Sequence, residues 1–476
     1  MLNKKQSYLL LLTLCLLSRA FTSIYYIEDI DSLRFALSLQ DFNVIKLQPH
    51  FPGYAIFCFL AKIIYFFTNS MGMTFSIIGG LSVFIIIHFI IKICKVDLNT
   101  RIGLFCSVTV FLNPLIWLMS NRYMPDLFGL SVAVSAIYYL IEKNSKIRYL
   151  KRGYFLAGIL AGTRLSYLPI LFIPLIYQLY SNKNRASLFL SLSIGCLIWI
   201  IPLIWVSGIG PLYEAATIHT KGHFTNFGGT FITESNWLLR FISLFKGLWG
   251  DGLAGYWIGR SWQTVVLSIC LVYLMKLGFT GLKKYYKFDD NLKLIIFSVF
   301  VYLIWIFFFQ NIIHKSRHIL PVLMIVFIIL VLGQKYVSNP NSIILNSVLC
   351  IYFISSISIS TNLILQHKKP SAIAQLNNSI SELPGQHTIV SIPLINFYFQ
   401  THGLKANFIN VETVADFKSF KFENPQKVLL IGNFNNTYSE KYSFTEDDVF
   451  FHNPYVNKMW PIIKKYRVLE KGFEVE

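Results

Sequence analysis

The chain has 476 residues, 54% of them hydrophobic and 14% charged, and its mean hydropathy is +0.54. Many apolar runs approach the ~20 residues that a helix needs to cross a bilayer, so we predict an integral membrane protein with many spans. The net charge of +19 does not indicate nucleic-acid binding, because Lys and Arg cluster in short loops between apolar runs, as in the positive-inside rule. All seven cysteines lie in apolar segments without CxxC spacing, which argues against a disulfide framework or a cysteine-bound metal.

The N-terminal apolar run at 7–25 is predicted to be a retained first span. It is long for a signal peptide, and Arg19 stands where a cleavage site would need small residues. Lys4 and Lys5 before it place the N-terminus in the cytoplasm. The loop that follows, 26–72, is therefore the first outer loop, and its first part is unusually acidic for this basic chain.

The placement of positive charge predicts the remaining topology. If the apolar run at 51–68 crossed the membrane, the basic loop at 143–152 would lie outside, so we predict that 51–68 is a juxtamembrane helix on the outer surface. Every basic loop is then cytoplasmic. The predicted spans, about eleven in all, are 7–25, 73–92, 102–119, 124–141, 153–164 and 166–181 as a hairpin reversing near Arg164, 186–206, 262–279, 291–310, 317–334 and 341–364.

Two outer regions are large. Residues 207–261, rich in Gly, Trp, His and other aromatic residues, are predicted to form a structured outer loop. Residues 366–476 have the pattern of a small α/β domain, with strands at 387–392, 406–411 and 427–432 alternating with helices at 393–402 and 412–420. We therefore predict an α-helical polytopic membrane domain at 1–365 and an extracytoplasmic α/β domain at 366–476.

Ionisable groups at the ends of spans are costly to desolvate and are candidate site residues. Those predicted on the outer face are Glu28, Asp29, Asp31, His50, Arg122, Asp126, Arg164, Lys221, His223, Arg260, Arg317 and His318. Each also has a simpler interpretation. Asp31 and Asp126 could cap the helices that follow them, Arg317 could anchor a span at the interface, and the histidines could be structural.

Acids and cations at one membrane face suit the transfer of a sugar from a lipid phosphate. An aspartate can act as general base toward an acceptor hydroxyl. Arginine and lysine can stabilise the negative charge that develops on the departing phosphate. A transporter of lipid-linked sugars is the main alternative, but transporters often show paired halves, and no internal repeat is visible here. A catalytically inactive scaffold for the C-terminal domain is a third possibility.

The sequence DSLRFA followed by QPHFPGY resembles the first outer loop of the GT-C glycosyltransferases, particularly family 39 and its relatives. These relatives are the protein O-mannosyltransferases, the aminoarabinose transferases and the RgtA/B/C/D-like bacterial enzymes. Asp31 matches the catalytic Asp, Phe35 the aromatic four positions later, and His50-Phe51-Pro52 the following turn. Two positions depart from the pattern: Ser32 follows Asp31, and Phe51 replaces a proline. Glu28 or Asp29 would then supply the second acid that the group often has.

The resemblance extends over roughly 1–335. Asp126 is similar to the second-loop Asp of the group, AGTRLS resembles its short hairpin, and RHILP resembles the start of one of its spans. The resemblance implies a membrane-embedded fold, inversion at the sugar, a polyprenyl-phosphate-sugar donor and a glycan, lipid or protein acceptor. It also implies a bacterial inner or plasma membrane. Some members of the group bind a divalent metal ion and others need none, so metal binding stays open; if a metal ion is present, Asp31 and Asp126 are its candidate ligands.

Overall fold

The structure, a computed structural model, describes residues 3–142, 146–286, 290–413, 416–417, 424–433 and 442–470. The chain divides into two compact units. The membrane unit comprises Met1–Ile24 and Arg34–Leu365, and the C-terminal unit comprises Tyr25–Leu33 and Gln366–Glu476. The acidic start of the first outer loop therefore groups with the C-terminal part of the chain, whereas the sequence analysis assigns it to the domain at 1–365.

Helices make up most of the chain before residue 368. They are α1 (Lys4–Phe21), α2 (Ile30–Gln40), α3 (Ala55–Thr68), α4 (Met71–Ile93), α5 (Arg101–Phe111), α6 (Pro114–Asn121), α7 (Asp126–Ile141), α8 (Ile147–Arg164), α9 (Phe172–Ser181), α10 (Arg185–Ser207), α11 (Ile209–Gly222), α12 (Trp237–Lys246), α13 (Gln263–Tyr286), α14 (Asp290–Phe309), α15 (Leu320–Lys335) and α16 (Ile343–His367).

Polar side chains fix where several of these helices begin. The side chain of Asn3 accepts a hydrogen bond from the Gln6 amide at the start of α1, and Ser70 and Thr100 do the same for α4 and α5. Asn113, followed by Pro114, ends α5 and starts α6, so the two helices meet at a bend of 55°. These caps stand where the sequence changes from polar loop to apolar run.

In the described residues, seven helical segments are long and apolar enough to cross a membrane, and the bent pair α5–α6 would make an eighth. The prediction of about eleven spans counts three further passages. It includes α1, which carries Lys4, Lys5 and Arg19, and α7, which has only 16 residues, and it counts α8 and α9 separately. Helix α3 has 14 residues, fewer than a span requires, in line with the predicted juxtamembrane helix.

The predicted reversal near Arg164 is confirmed by a contact between α8 and α9. The Tyr154 hydroxyl donates to the Leu175 carbonyl at 2.6 Å. In one straight helix these residues would lie about 31 Å apart, so the chain must fold back between them. A 3₁₀ segment, Leu165–Leu171, makes the connection.

The C-terminal unit contains a five-stranded mixed sheet with the order β2-β1-β3-β5-β4. Its strands are β1 (His387–Ser391), β2 (Ala406–Asn410), β3 (Val428–Ile431), β4 (Tyr442–Phe451) and β5 (Ile462–Glu470), with α17 (Ala372–Ser381) and α18 (Pro393–Thr401). The first three strands are parallel, and β5 and β4 continue the sheet antiparallel.

The predicted α/β character of this part of the chain is confirmed. The predicted strands coincide with β1, β2 and β3, and the predicted helix at 393–402 coincides with α18. Most of the predicted helix at 412–420 lies outside the described residues, as do residues 143–145 of the predicted basic loop. The sequence analysis did not identify β4 and β5. The central residues of β4, Thr445 to Asp448, are polar and charged, which hides the apolar alternation typical of a strand.

Candidate functional site

The QPHFPGY turn places two aromatic side chains side by side in the membrane unit. Gly53 has φ +85°, a conformation that favours glycine, and a Cβ there would come within 3.0 Å of Val44 Cγ2. Beyond this turn, His50 Nε2 lies 3.0 Å from the Tyr54 hydroxyl. The ring of His50 also stacks on that of His219, with 4.9 Å between centroids. The turn therefore joins the first outer loop to the outer loop at 207–261.

A buried carboxylate lies between two guanidinium groups in the same unit. Asp126 is the first residue of α7 and is 1% exposed. Its Oδ1 atom is 2.8 Å from Arg164 Nη2 and 3.6 Å from Arg317 Nε. Arg164 also donates through Nη1 to the Tyr54 hydroxyl at 3.1 Å. The structure thus brings together four predicted site residues, His50, Asp126, Arg164 and Arg317, and links His50 to them through Tyr54.

Two buried tyrosines hold the backbone around Arg317. Tyr167 donates its hydroxyl hydrogen to the Arg317 carbonyl at 3.2 Å, and Tyr302 donates to the His318 carbonyl at 2.9 Å. His318 itself is buried. The sequence analysis did not single out Tyr54, Tyr167 or Tyr302. Tyr54 carried a usable signal, because it ends the QPHFPGY motif, whereas the other two lie in ordinary apolar runs.

The remaining predicted binding residues of the outer loop at 207–261 have different surroundings. His223 donates through Nε2 to the Phe309 carbonyl, with 2.9 Å between the two atoms. Burial lowers the pKa of His223, the Phe309 carbonyl opposes that effect, and the positive charges of Lys315 and Arg164 lower the pKa further. His223 is therefore a neutral donor to the backbone at neutral pH. Lys221, in contrast, is exposed on α11.

Arg260 is paired with an acid that the sequence analysis missed. Arg260 Nη2 contacts Asp251 Oδ1, and the Ser316 hydroxyl donates to the other oxygen of the same carboxylate. Both charged side chains are at most 5% exposed. Because Ser316 directly precedes Arg317, this pair fixes the chain next to the Asp126 cluster. Arg122, at the end of α6, is half-buried.

The three candidate acids near the start of the first loop, Glu28, Asp29 and Asp31, belong to the C-terminal unit. Glu28 Oε1 lies 3.0 Å from His367 Nε2, and Asn457 Nδ2 donates to the Glu28 carbonyl at 3.1 Å. The Ser32 amide donates to Asp29 Oδ1 at 2.8 Å, so Asp29 caps α2. The capping role considered for Asp31 therefore falls to Asp29. Asp31 lies in the first turn of α2 and is 5% exposed.

The sequence analysis leaves metal binding open and names Asp31 and Asp126 as the ligands if a metal ion is bound. Within the part of the chain that the structure describes, no group of three or more His, Cys, Asp or Glu side chains could hold a metal ion. The two predicted ligands, Asp31 and Asp126, belong to different units.

The sequence matches no protein-family model and no curated protein. Among solved structures, the chain is similar to ArnT from Cupriavidus metallidurans bound to undecaprenyl phosphate, with a TM-score of 0.53 and 10% identity over 96% of this chain and 97% of that chain. The apo state of the same protein aligns with a TM-score of 0.49, 10% identity and the same coverage. The Archaeoglobus fulgidus oligosaccharyltransferase, tethered with an acceptor peptide, aligns with a TM-score of 0.47 and 12% identity over 86% of this chain and 64% of that chain. At this identity, the similarity to the first structure establishes the fold, and the chain has the GT-C fold that the first-loop motif predicted.

Proposed function

We propose that this chain, which has the GT-C fold, is an inverting membrane glycosyltransferase. It moves a sugar from a polyprenyl-phosphate donor to a glycan, lipid or protein acceptor at the extracytoplasmic face of a bacterial inner or plasma membrane. Two independent features support this proposal: the fold shared with ArnT bound to undecaprenyl phosphate, and the arginine cluster of the membrane unit.

The convergence of Arg164 and Arg317 on Asp126 is the observation that carries the proposal. A guanidinium group is planar and can bind a phosphate through two hydrogen bonds at once. Arg164 is the last residue of α8, and Arg317 lies in the 3₁₀ segment Ser316–Ile319 directly before α15, so both are candidates to meet a lipid phosphate that enters from the bilayer. The buried Asp126 contacts both groups, at 2.8 Å and 3.6 Å, and thereby limits the rotamers they can adopt. We therefore assign the two arginines to the donor phosphate, with Lys221 as a third candidate.

The reaction is a direct displacement at the anomeric carbon. Asp31 acts as general base and accepts the proton of the acceptor hydroxyl. The acceptor oxygen forms a bond to the anomeric carbon while the bond to the phosphate oxygen breaks, so the configuration inverts. The phosphate leaves on its polyprenyl chain with the bonding electron pair, and the arginines stabilise the charge that it gains.

We propose a positioning task for Asp126, whose similarity to the second-loop Asp of the group made it a candidate catalytic residue. A carboxylate in contact with two guanidinium groups is a poor base, because protonation would remove its interaction with both. We therefore propose that Asp126 positions Arg164 and Arg317. Glu28 and Asp29, through His367 and the start of α2, position the segment that carries Asp31.

The test is a donor assay on the purified protein in lipid nanodiscs. Radiolabelled polyprenyl-phosphate sugars would be offered one at a time together with acceptor-containing membranes. We expect one donor to yield a labelled acceptor and one equivalent of free polyprenyl phosphate. If reconstituted liposomes instead move an intact donor between leaflets and no labelled acceptor forms across the panel, the chain is a transporter and the proposal fails.

A further inference from the structure

A cavity lies at the opposite end of the α5–α6 pair from Asp126. It has a volume of about 620 Å³ and is formed between the start of α5, the end of α15 and the first half of α16. Pockets of about 300–1,000 Å³ are the size that holds small organic ligands. Helix α5 begins at this cavity with Arg101, and α6 ends at Asn121, a few residues before Asp126. The cavity is thus separate from the site described above.

The wall of the cavity is polar at one end and apolar elsewhere. Arg101 and Gln334 stand at the ends of their helices, where α5 begins and α15 ends. The rest of the wall is apolar and comes from α5 and α16: Leu104, Phe105, Val108, Leu349 and Phe353. Val108 lies about 10 Å along the helix axis from Arg101, so the apolar part extends toward the middle of the membrane. The cavity therefore has a polar end and an apolar end, like the head and tail of an amphiphile.

The charge of Arg101 is available to an anion. Its two hydrogen bonds go to neutral groups, the Pro340 carbonyl at 2.8 Å and the Asn346 side-chain oxygen. Among the described residues no carboxylate lies within ion-pair distance of Arg101, and the acid of the neighbouring α4–α5 loop, Asp97, is paired with Lys4 at 3.0 Å. A cation held by neutral groups next to an apolar cavity favours a negatively charged amphiphile.

Gln334 supplies an independent indication of a ligand. It lines the cavity, is only 7% exposed, and its Nε2 has no hydrogen-bond partner within the described chain. A buried amide that lacks a partner costs free energy, so an acceptor is expected beside it. The ester carbonyl of a glycerophospholipid, which lies near the phosphate in the same molecule, would be that acceptor.

We propose that this cavity binds one anionic glycerophospholipid. Its phosphate contacts Arg101, an ester carbonyl accepts from Gln334 Nε2, and one acyl chain occupies the apolar part of the cavity. The chain around the polar end of the cavity is basic. Lys335 at the end of α15 donates through Nζ to the Cys94 carbonyl at 2.9 Å, which joins the end of α15 to the end of α4. Basic loops are the ones predicted to face the cytoplasm, the side on which anionic lipids attract Lys and Arg. The proposal does not depend on the chemistry at the other end of the membrane unit.

Native mass spectrometry of the full chain tests this assignment. The protein would be released from detergent micelles containing dioleoyl-phosphatidylglycerol, dioleoyl-phosphatidylcholine or undecaprenyl phosphate. We expect one phosphatidylglycerol to stay bound at collision energies that remove phosphatidylcholine. Arg101→Gln should weaken its binding at least about tenfold, because a charge-assisted hydrogen bond is lost. Arg185→Gln, at an exposed residue that starts α10, is the matched control and should leave binding unchanged.

A second variant separates lipid binding from the contacts of Arg101 with Pro340 and Asn346. Val108→Phe narrows the apolar part of the cavity without altering Arg101, and it should also remove the bound phosphatidylglycerol. Equal retention of phosphatidylglycerol and phosphatidylcholine would overturn the proposal. So would unchanged binding in Val108→Phe, or undecaprenyl phosphate displacing phosphatidylglycerol at equal concentration, which would assign the cavity to the polyprenyl carrier.

Discussion

At the scale of single residues, the stability of the cluster around Asp126 depends on the contacts of its one negative charge with the positive charges of Arg164 and Arg317. Asp126 is 1% exposed, and the side chains of Arg164 and Arg317 are at most 10% exposed. Each charge loses hydration on burial, and the contacts among the three groups and Tyr54 help to offset that cost. Removing one member of this buried cluster therefore lowers the free energy of unfolding more than removing an exposed ion pair does.

The substitution Asp126→Asn should destabilise the protein strongly. It leaves two buried guanidinium groups without their carboxylate, which we expect to lower the free energy of unfolding by about 3–5 kcal/mol. Thermal unfolding in nanodiscs would measure the change. Asp41→Asn is the matched control, because the pair between Asp41 and Lys46 lies at the surface, where ion pairs contribute little. Equal unfolding temperatures for the two variants would contradict the structural role assigned to Asp126.

The sequence predicted these residues as candidates but not as a cluster. Asp126, Arg164 and Arg317 were recognisable because each is an ionisable group at a span end. Their contact depends on how far each helix is rotated about its own axis, which the hydropathy pattern of a nearly uniformly apolar helix does not specify. The pair between Asp251 and Arg260 was missed for a different reason, because an acid between two glycines gives no periodic signal.

At the scale of secondary-structure elements, close packing between helices fixes the end of α8 and with it Arg164. Gly158 on α8 faces Gly195 on α10, and a Cβ at Gly158 would lie 2.5 Å from the Leu192 carbonyl oxygen. The Trp199 indole nitrogen donates to the Gly158 carbonyl at 3.0 Å, which holds the two backbones together. Small residues at such positions are typical of tight helix pairs in membranes.

The substitution Gly158→Ala should push α8 and α10 apart. The atoms it would meet are backbone atoms that cannot rotate away, so we expect a loss of about 1–3 kcal/mol in stability. Sugar transfer should fall as well, because Arg164 lies six residues further along the same helix. Gly210→Ala serves as the control, since no atom lies within 4 Å of a Cβ at that position. A Gly158→Ala protein with the melting temperature and activity of the wild type would show that the contact is not tight.

At the scale of the whole molecule, hydropathy and charge predicted the fold class. They did not predict that Tyr25–Leu33 groups with the C-terminal part of the chain. Apolar length and basic loops indicated a polytopic protein with a C-terminal α/β part, and the structure confirms that architecture. The grouping of Tyr25–Leu33 with the C-terminal part rests on contacts such as Glu28 with His367, between residues more than 300 positions apart. No local pattern encodes a contact of that separation.

The sidedness of the chain is a prediction of charge placement and can be measured directly. We expect the C-terminal unit to be extracytoplasmic and the α9–α10 loop to be cytoplasmic. In intact cells, a membrane-impermeant maleimide should label Glu382→Cys but not Lys183→Cys, both at exposed positions. Unmodified protein provides the background, and labelling after permeabilisation confirms that both cysteines can react. The opposite labelling pattern would invert the topology and move the proposed chemistry to the cytoplasmic face.

The most direct test of the proposed transferase is the turnover of its lipid donor by the Asp31→Asn variant. Once a donor is identified with the wild type, the rate of polyprenyl phosphate release would be compared in wild type, Asp31→Asn and the loop control Asp41→Asn. Loss of a general base predicts a rate lower by about 10²–10⁴-fold in Asp31→Asn alone, with donor binding retained. A folded, membrane-inserted Asp31→Asn protein with the wild-type rate would contradict the assignment of Asp31 and the mechanism built on it.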